Sequence, residues 1–214
     1  GLAQVNVVQS VIFAGMSGSA IADAAGTGRM MQAMMTKDGK YPPAFAAALT
    51  AASSVIGPII PPSIPMVLYA LVSDASIGFL FLGGVIPGLL LGLSQMGIVA
   101  ATARRRSFPV EEPVPVRALP GITWRALPVI LMPVVLLGGI YGGATTPTEA
   151  AAVAAAYALA ISVILYRSVS FPDLYRSLAY SARTTATIGM LIAGALVFNY
   201  VVTIENIPQT LKAL

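Results

Sequence analysis

A run of small and polar residues, 15–26, interrupts an apolar stretch near the start of the chain and carries the side chains best suited to binding chemistry. Ser17, Ser19 and Asp23 supply two hydroxyls and a carboxylate, set among glycines. Inside a bilayer the backbone groups of such an interruption have no water to bond with, so the segment must be buried in protein or line a cavity. We therefore expect residues 15–26 to form part of a ligand site.

A second interruption follows at residues 57–62, with the sequence Gly-Pro-Ile-Ile-Pro-Pro. Its prolines lack N–H donors and break a helix. Carbonyls released at a helix break can surround a hard cation such as sodium with oxygen ligands, to which Ser17 and Ser19 can add hydroxyl oxygens. The alternative is purely local: the serines satisfy nearby backbone groups and the prolines only kink a helix.

Two carboxylates and one cation near these segments have alternative roles. An ionised side chain at the bilayer centre is costly, so Asp23 either takes part in ion coupling or caps backbone amides of the first interruption. Glu149, after Pro147 at the start of a helix, either caps that helix or takes part in gating. Arg29 is predicted to be a cytoplasmic anchor rather than an anion ligand.

Composition places the chain in a membrane. It is 57% hydrophobic and 9% charged, with a mean hydropathy of +0.85, whereas soluble domains carry about 25% charged residues. Lipid accepts apolar surface on every outward face, which water does not. The predicted fold class is an all-α polytopic membrane protein.

The residue inventory excludes several kinds of chemistry. The chain has no cysteine and no histidine, which removes disulfides, thiolate or imidazole sites for transition metals, and Ser-His or Cys-His nucleophiles. No Gly-x-x-x-x-Gly-Lys-Ser/Thr loop is present, and no basic run is interleaved with aromatic residues. We expect no enzyme activity, no nucleic-acid binding and no cofactor apart from a coupling ion.

The apolar segments predict the order of the elements. Residues 5–35 form a re-entrant hairpin of two half-spans, and a helix at 44–56 is broken and resumes over 63–72. Residues 107–123, with four prolines, are predicted to be a solvent-facing loop. Four helices long enough to cross a bilayer are predicted at residues 79–103, 125–144, 150–166 and 185–202.

Charge asymmetry predicts the orientation of these spans. If Arg104 to Arg106 are cytoplasmic, alternation places seven further basic residues on the same side: Lys37, Lys40, Arg117, Arg125, Arg167, Arg176 and Arg183. The opposite side receives Asp74, Glu149 and Glu205, with no basic residue before Lys212. This split fits the positive-inside rule for a multi-pass membrane protein.

Glycines recur along two of the predicted spans. Gly84, Gly88 and Gly92 share one helix face, and the pairs at 138 and 142 and at 139 and 143 have the same spacing. Small residues at this spacing let helices approach closely. We predict a packing role for them, with no part in ligand binding.

Three motifs together resemble the large, M-type membrane subunit of tripartite ATP-independent periplasmic (TRAP) transporters. They are Ser-Gly-Ser with Ala-Asp over 17–23, Gly-Pro-Ile-Ile-Pro-Pro-Ser over 57–63, and Thr-Thr-Pro-Thr-Glu-Ala-Ala-Ala over 145–152. They occur in the expected order, and the resemblance covers essentially the whole chain. Each motif alone is weak, and their combination is specific.

The resemblance implies a sodium-driven importer of organic acids that works with a small membrane subunit and a periplasmic solute-binding protein. Its fold is expected to contain inverted repeats, each with a re-entrant hairpin and a broken helix, and to move substrate by an elevator motion. Residues 1–103 would hold the first repeat, 104–124 a cytoplasmic loop, and 125–214 spans leading into the second repeat. The chain is therefore expected to be a fragment whose second site lies beyond Leu214.

The resemblance also assigns roles to individual residues. It implies sodium ligands at the hairpin tip and the facing break: Ser17, Ala20, Gly57, Ile60 and Pro62. Candidates for substrate binding or coupling are Ser19, Asp23 and Ser63.

Other functions fit parts of the sequence. An ion-coupled inner-membrane carboxylate transporter that needs no binding protein has the same broken helices, and a non-transporting membrane scaffold would not need them. An intramembrane aspartyl protease requires two convergent aspartates, and Asp23 has no evident partner. Dicarboxylates, sugar acids similar to sialic acid and other carboxylates all remain open as substrates.

The charge distribution gives a test of topology. In the full-length protein, cysteines placed at Arg105 and Glu112 should be labelled by an impermeant maleimide from the cytoplasmic side, and one at Asp74 from the periplasmic side. The measurement is labelling of intact cells against inverted vesicles. Reversed accessibility would contradict the predicted orientation.

Overall fold

The computed structural model describes residues 1–106, 108 and 115–205. The chain divides into two compact units, residues 1–158 and residues 159–214. Within the described residues all regular structure is helical. The predicted all-α class is confirmed.

The first unit opens with a helical hairpin. Helix α1 (Leu2–Ser17) has 16 residues and belongs to the apolar helices too short to count as membrane spans. It ends at Gly18, whose left-handed backbone lets its N–H bond to the Ala14 carbonyl at 3.3 Å. Helices α2 (Ala20–Ala25) and α3 (Thr27–Thr36) follow, and α3 packs against α1. The predicted interruption of residues 5–35 is therefore present as a break between helices.

The next helix is broken where the prolines predict it. Helix α4 (Pro43–Ser54) ends two residues before the predicted boundary, and α5 (Ile64–Ser73) resumes after the break. The early end has a local cause, because Pro58 has no N–H to complete a helical bond to Ser54. The chain instead closes two tighter turns, from Ile56 to Ser53 at 3.1 Å and from Gly57 to Ser54 at 3.0 Å.

Four helices of the described residues are long and apolar enough to cross a membrane, in agreement with the four predicted spans. Helix α6 is Ile77–Arg106, α7 is Leu119–Tyr141, α8 is Pro147–Ala160 with a π-helical extension Ile161–Leu165, and α9 is Phe171–Ile204.

The predicted loop at 107–123 is wrong at its end, because α7 already begins at Leu119. Pro120 occupies the first turn of that helix, a position where proline loses no hydrogen bond. Residues 107 and 109–114 of this prediction lie outside the described residues. Helix α9 likewise starts at Phe171, well before the predicted residue 185.

A buried polar network joins α1 to α4 in the first unit. Asn6 donates through Nδ2 to the Thr50 hydroxyl at 2.9 Å, and the Ser53 hydroxyl donates to Asn6 Oδ1 at 3.4 Å. Ser10 donates to Ser53 at 3.0 Å. All four side chains are at most 2% exposed. Polar side chains bonded across a helix pair hold such helices together in an apolar environment.

The second unit contains the π-helical extension and α9. A capping box at Ser170 and Asp173 starts α9, with each side chain bonded to the backbone of the other residue. None of the described α9 residues is buried.

The buried network predicts a stability effect at Asn6. Asn6→Leu removes the bonds to Thr50 and Ser53 and should lower the free energy of unfolding by about 1–2 kcal/mol. The same substitution at Asn199, which is exposed on α9, is the matched control and should change stability by less than about 0.5 kcal/mol. Unfolding of the purified protein in detergent by denaturant titration measures both. Equal effects of the two substitutions would contradict a structural role for the network.

Candidate functional site

The two interruptions lie against each other in the structure. The Ile64 N–H donates to the Gly18 carbonyl at 3.4 Å, which joins the start of α5 to the end of α1. Gly18 has φ +60°, and a Cβ there would lie 2.3 Å from the Pro62 carbonyl oxygen. A Cβ on Gly57 would lie 3.2 Å from the Ser19 carbonyl carbon and 3.4 Å from the Ala20 nitrogen. Gly18 therefore has to be glycine, and at Gly57 an added Cβ would be a tight fit against the tip of the hairpin.

Ser19 and Ser63 start the helices that leave this contact. Each serine has an extended backbone, and each side chain accepts a bond from the amide three residues later, Ala22 or Met66, at 3.3 Å. The Ser63 hydroxyl also donates to the Pro58 carbonyl. This is N-capping, which is the local role considered for Ser19 in the sequence.

Ser17 lies in a different setting. A pocket of about 180 Å³ is lined by Ser17, Pro62, Ser63, Ile64, Val67 and Leu68. The Ser17 hydroxyl accepts a long bond from the Ser19 N–H at 3.4 Å. A hydroxyl oxygen has two lone pairs, so this contact leaves acceptor capacity on Ser17.

The prolines release three carbonyls from the helical ladder. Pro58, Pro61 and Pro62 are the residues that would donate to Ser54, Gly57 and Pro58 in an α-helix, and proline has no N–H. Ser54 accepts from the Gly57 N–H and Pro58 from the Ser63 hydroxyl. Gly57, packed against the tip of the hairpin, is the third and brings a carbonyl that the helix does not use.

Ile60 takes part in the break mainly through packing. Its N–H donates to Ile56 at 3.0 Å, and its side chain lies against Gly88 of α6, where a Cβ would come within 2.3 Å. A Cβ on Gly84 would lie 2.3 Å from the Ile59 carbonyl oxygen. The packing role predicted for this glycine row is confirmed, although its neighbours at these two positions belong to the break rather than to a helix.

Asp23 is buried in the hairpin with a side chain exposed by only 1%. Its Oδ1 accepts from the Thr27 hydroxyl at 2.9 Å, and its Oδ2 is buried without a hydrogen-bond partner among the described residues. The cap of α2 is Ser19, and the hydrogen bond at Asp23 Oδ1 comes from a hydroxyl rather than from a backbone amide. Thr27 was not identified from the sequence, since it is the first residue of α3 and the break at Gly26 separates it from Asp23 on α2.

Glu149 forms a capping box with Thr146. The Thr146 N–H and hydroxyl both donate to Glu149 Oε2 at 2.8 Å, and the Glu149 N–H points back to the Thr146 hydroxyl at 3.4 Å. This arrangement favours the capping interpretation over gating. Arg29, the cation nearest to Asp23 in the sequence, is exposed on α3.

Comparison with known proteins identifies a family that matches the full length of the chain. Residues 1–214 match the DctM component of the tripartite ATP-independent periplasmic transporters. The sialic acid TRAP transporter large permease protein of Vibrio cholerae serotype O1 is 40% identical over 98% of this chain and 49% of its own length. The C4-dicarboxylate large permease protein of Pseudomonas aeruginosa is 41% identical over 100% and 50%.

A third relative has a different named substrate. The 2,3-diketo-L-gulonate large permease protein of Escherichia coli (strain K12) is 36% identical over 100% of this chain and 50% of its own length. The chain thus spans about half the length of these relatives. On the match over residues 1–214 and these identities, the chain belongs to the large permease (DctM) family of TRAP transporters.

Proposed function

We propose that this chain is part of the permease of a sodium-coupled importer of organic acids in the bacterial inner membrane. The observation that supports this most directly is the contact between the two broken segments, because it concentrates backbone oxygens and helix ends inside an apolar chain. Family membership supports an ion-driven permease that works with a small membrane subunit and a periplasmic solute-binding protein.

The proposed sodium site lies where the hairpin meets the proline break. Its ligands are the Ser17 hydroxyl and carbonyl oxygens drawn from four residues: Ala20, Gly57, Ile60 and Pro62. Sodium is a hard cation that takes oxygen ligands, and carbonyls freed from a helix supply them without a fixed negative charge. The close approach of the two segments at Gly18 and Gly57 supports a ligand set drawn from both of them.

The proposed substrate is an organic acid held near the same contact. The N-terminus of α5 begins at Ser63, and helix N-termini carry partial positive charge that favours a carboxylate. Ser19 and Ser63 act in this proposal by orienting the capped amides. The relatives are named for sialic acid, a C4-dicarboxylate and a diketogulonate, all of which are carboxylates.

Asp23 is the proposed coupling residue. Burying a carboxylate with one unpaired oxygen inside a membrane protein is unfavourable in free energy. In this proposal a cation that passes close to Asp23 during transport offsets that cost. Thr27 fixes the other oxygen and hence the orientation of the group.

The elevator motion needs a transport region that moves as one body. In the first unit, the polar network ties α1 to α4, and the Gly18–Ile64 bond ties α1 to α5. We propose that these elements move together, carrying both breaks.

The energy source gives the first test of this function. In proteoliposomes that contain the complete permease and its partners, uptake of a labelled organic acid should follow an imposed inward sodium gradient and should not respond to ATP. Omitting the binding protein tests its role, because a transporter that works alone would continue to import. Uptake at an unchanged rate without sodium would rule out the sodium site.

The contact between the breaks gives the second test. Ser17→Ala removes a ligand, and Gly57→Ala places a Cβ at 3.1–3.4 Å from Ser54, Ser19 and Ala20. Each should raise the half-saturating sodium concentration for uptake by about three- to thirtyfold, corresponding to about 0.7–2 kcal/mol. Because both changes damage one ligand shell, the double variant should show clearly less than the sum of the two free-energy losses.

The matched control for this cycle is Gly83→Ala on α6, where the added Cβ meets no atom within 4 Å. It should leave the sodium dependence unchanged. Strict additivity between Ser17→Ala and Gly57→Ala, with each variant still inserted in the membrane, would mean that the two breaks are independent structural features.

A further inference from the structure

At the C-terminal end of α4 the Ala52 carbonyl, on an exposed side of the helix, is left without its helical donor. In a continuous helix the Ile56 N–H would donate to Ala52, but here it donates to Ser53 at 3.1 Å. Ala52 itself is exposed in the structure. An unsatisfied carbonyl that faces hydrocarbon is strongly unfavourable, since no water is present to replace the lost donor. The break therefore requires a donor from another element.

Gln95 of α6 supplies this donor. Its Nε2 donates to the Ala52 carbonyl at 2.9 Å, across 43 residues of sequence. Its Oε1 is buried and has no hydrogen-bond partner among the described residues. The side chain is thus used as a donor, and the partner it serves is the carbonyl that the break released.

We propose that Gln95 is a positioning residue for the sodium site, an inference that rests on the proposed function. Because Gln95 already satisfies the Ala52 carbonyl, re-forming the helical bond from the Ile56 N–H to Ala52 gives no gain in free energy. Restoring that bond would extend α4 and displace Gly57, which lies next in the chain and contacts Ser19 and Ala20. Gln95 does not touch the ion and acts through the backbone of α4.

A simpler role, that of a tether between two helices, has an internal comparison in Gln4. Gln4 of α1 donates through Nε2 to the Met96 carbonyl of α6 at 2.9 Å, and its Oε1 is also buried and unpaired among the described residues. Met96 lies inside the continuous helix Ile77–Arg106, so its carbonyl belongs to an intact helical ladder. Gln4 and Gln95 thus make bonds of the same kind and length to backbone carbonyls, and only Gln95 serves a carbonyl released by the break.

The experiment compares Gln95→Met with Gln4→Met in the complete permease, reconstituted in proteoliposomes with its partners. Methionine keeps the approximate size of the side chain and removes the donor. Gln95→Met should raise the half-saturating sodium concentration by about three- to tenfold, the effect expected from one hydrogen bond, with less than about a twofold change in the maximal rate. Gln4→Met should leave both values unchanged within about twofold.

A second measurement does not depend on transport. Sodium should raise the melting temperature of the purified wild-type protein, because a ligand that binds only the folded state stabilises it. The sodium concentration that gives half of this increase should rise in Gln95→Met and stay the same in Gln4→Met. If Gln95→Met is not recovered from the membrane, Gln95→Asn, whose amide is one methylene shorter, is measured in its place with the same expectation.

The outcomes separate the two proposals. A shift of equal size in both glutamine variants identifies a general tether and overturns the positioning role. An unchanged sodium dependence in the Gln95 variant also overturns it, while the sodium site itself stands. If the wild-type protein shows no sodium dependence in either measurement, the proposed function fails and the role of Gln95 at a sodium site fails with it.

Discussion

The structure of the first unit depends on how backbone carbonyls are satisfied where prolines have removed their donors. In water such carbonyls would be hydrated, but inside a bilayer they need a partner from the protein or a bound cation. Two of the released carbonyls find partners close by, Ser54 in the Gly57 N–H and Pro58 in the Ser63 hydroxyl. The Ala52 carbonyl, whose helical donor Ile56 bonds to Ser53 instead, finds a partner in a distant helix, through Gln95. The carbonyl of Gly57 is the one that the proposed ion site uses.

Helix α6 makes this irregular backbone possible by two means. Its glycine row at 84 and 88 allows the break segment to approach within a distance that any side chain would block. Its Gln95 then bonds to the last turn of α4. The same helix is long and apolar enough to cross a membrane. A regular spanning helix therefore supports the irregular segment beside it.

The hairpin contributes the opposite side of the contact, and its polar side chains differ in how far their hydrogen-bonding capacity is used. The Ser19 hydroxyl caps α2, while the Ser17 hydroxyl keeps acceptor capacity beside a pocket. Asp23 is held by Thr27 through one oxygen and keeps the other unpaired among the described residues. The proposed ion site and coupling role draw on these two oxygens, which lie close in sequence to Gly18.

Much of the architecture followed from the sequence because the relevant constraints are local. Proline lacks an N–H wherever it stands, so the break at 57–62 depends on neighbouring residues alone. The Thr146–Glu149 cap is local as well, because the two residues are three apart in the chain. Hydropathy over about 20 residues likewise identifies the four spans. The use of proline as a sign of a loop gave a wrong prediction at Pro120, because proline also suits the first turn of a helix. Only the surrounding structure distinguishes a loop from the start of a helix.

Tertiary structure alone decided which distant groups meet. The sequence placed a glycine in each interruption, but the contact between the hairpin tip and the break required the packing of α1, α4 and α5. It could not show that Asn6 bonds to Thr50 or that Gln95 serves Ala52, since an amide in an apolar helix has many carbonyls within reach. The sequence by itself determined where the backbone must break. The fold determined what satisfies each break, because hydrogen bonds between elements depend on distances that no local pattern contains.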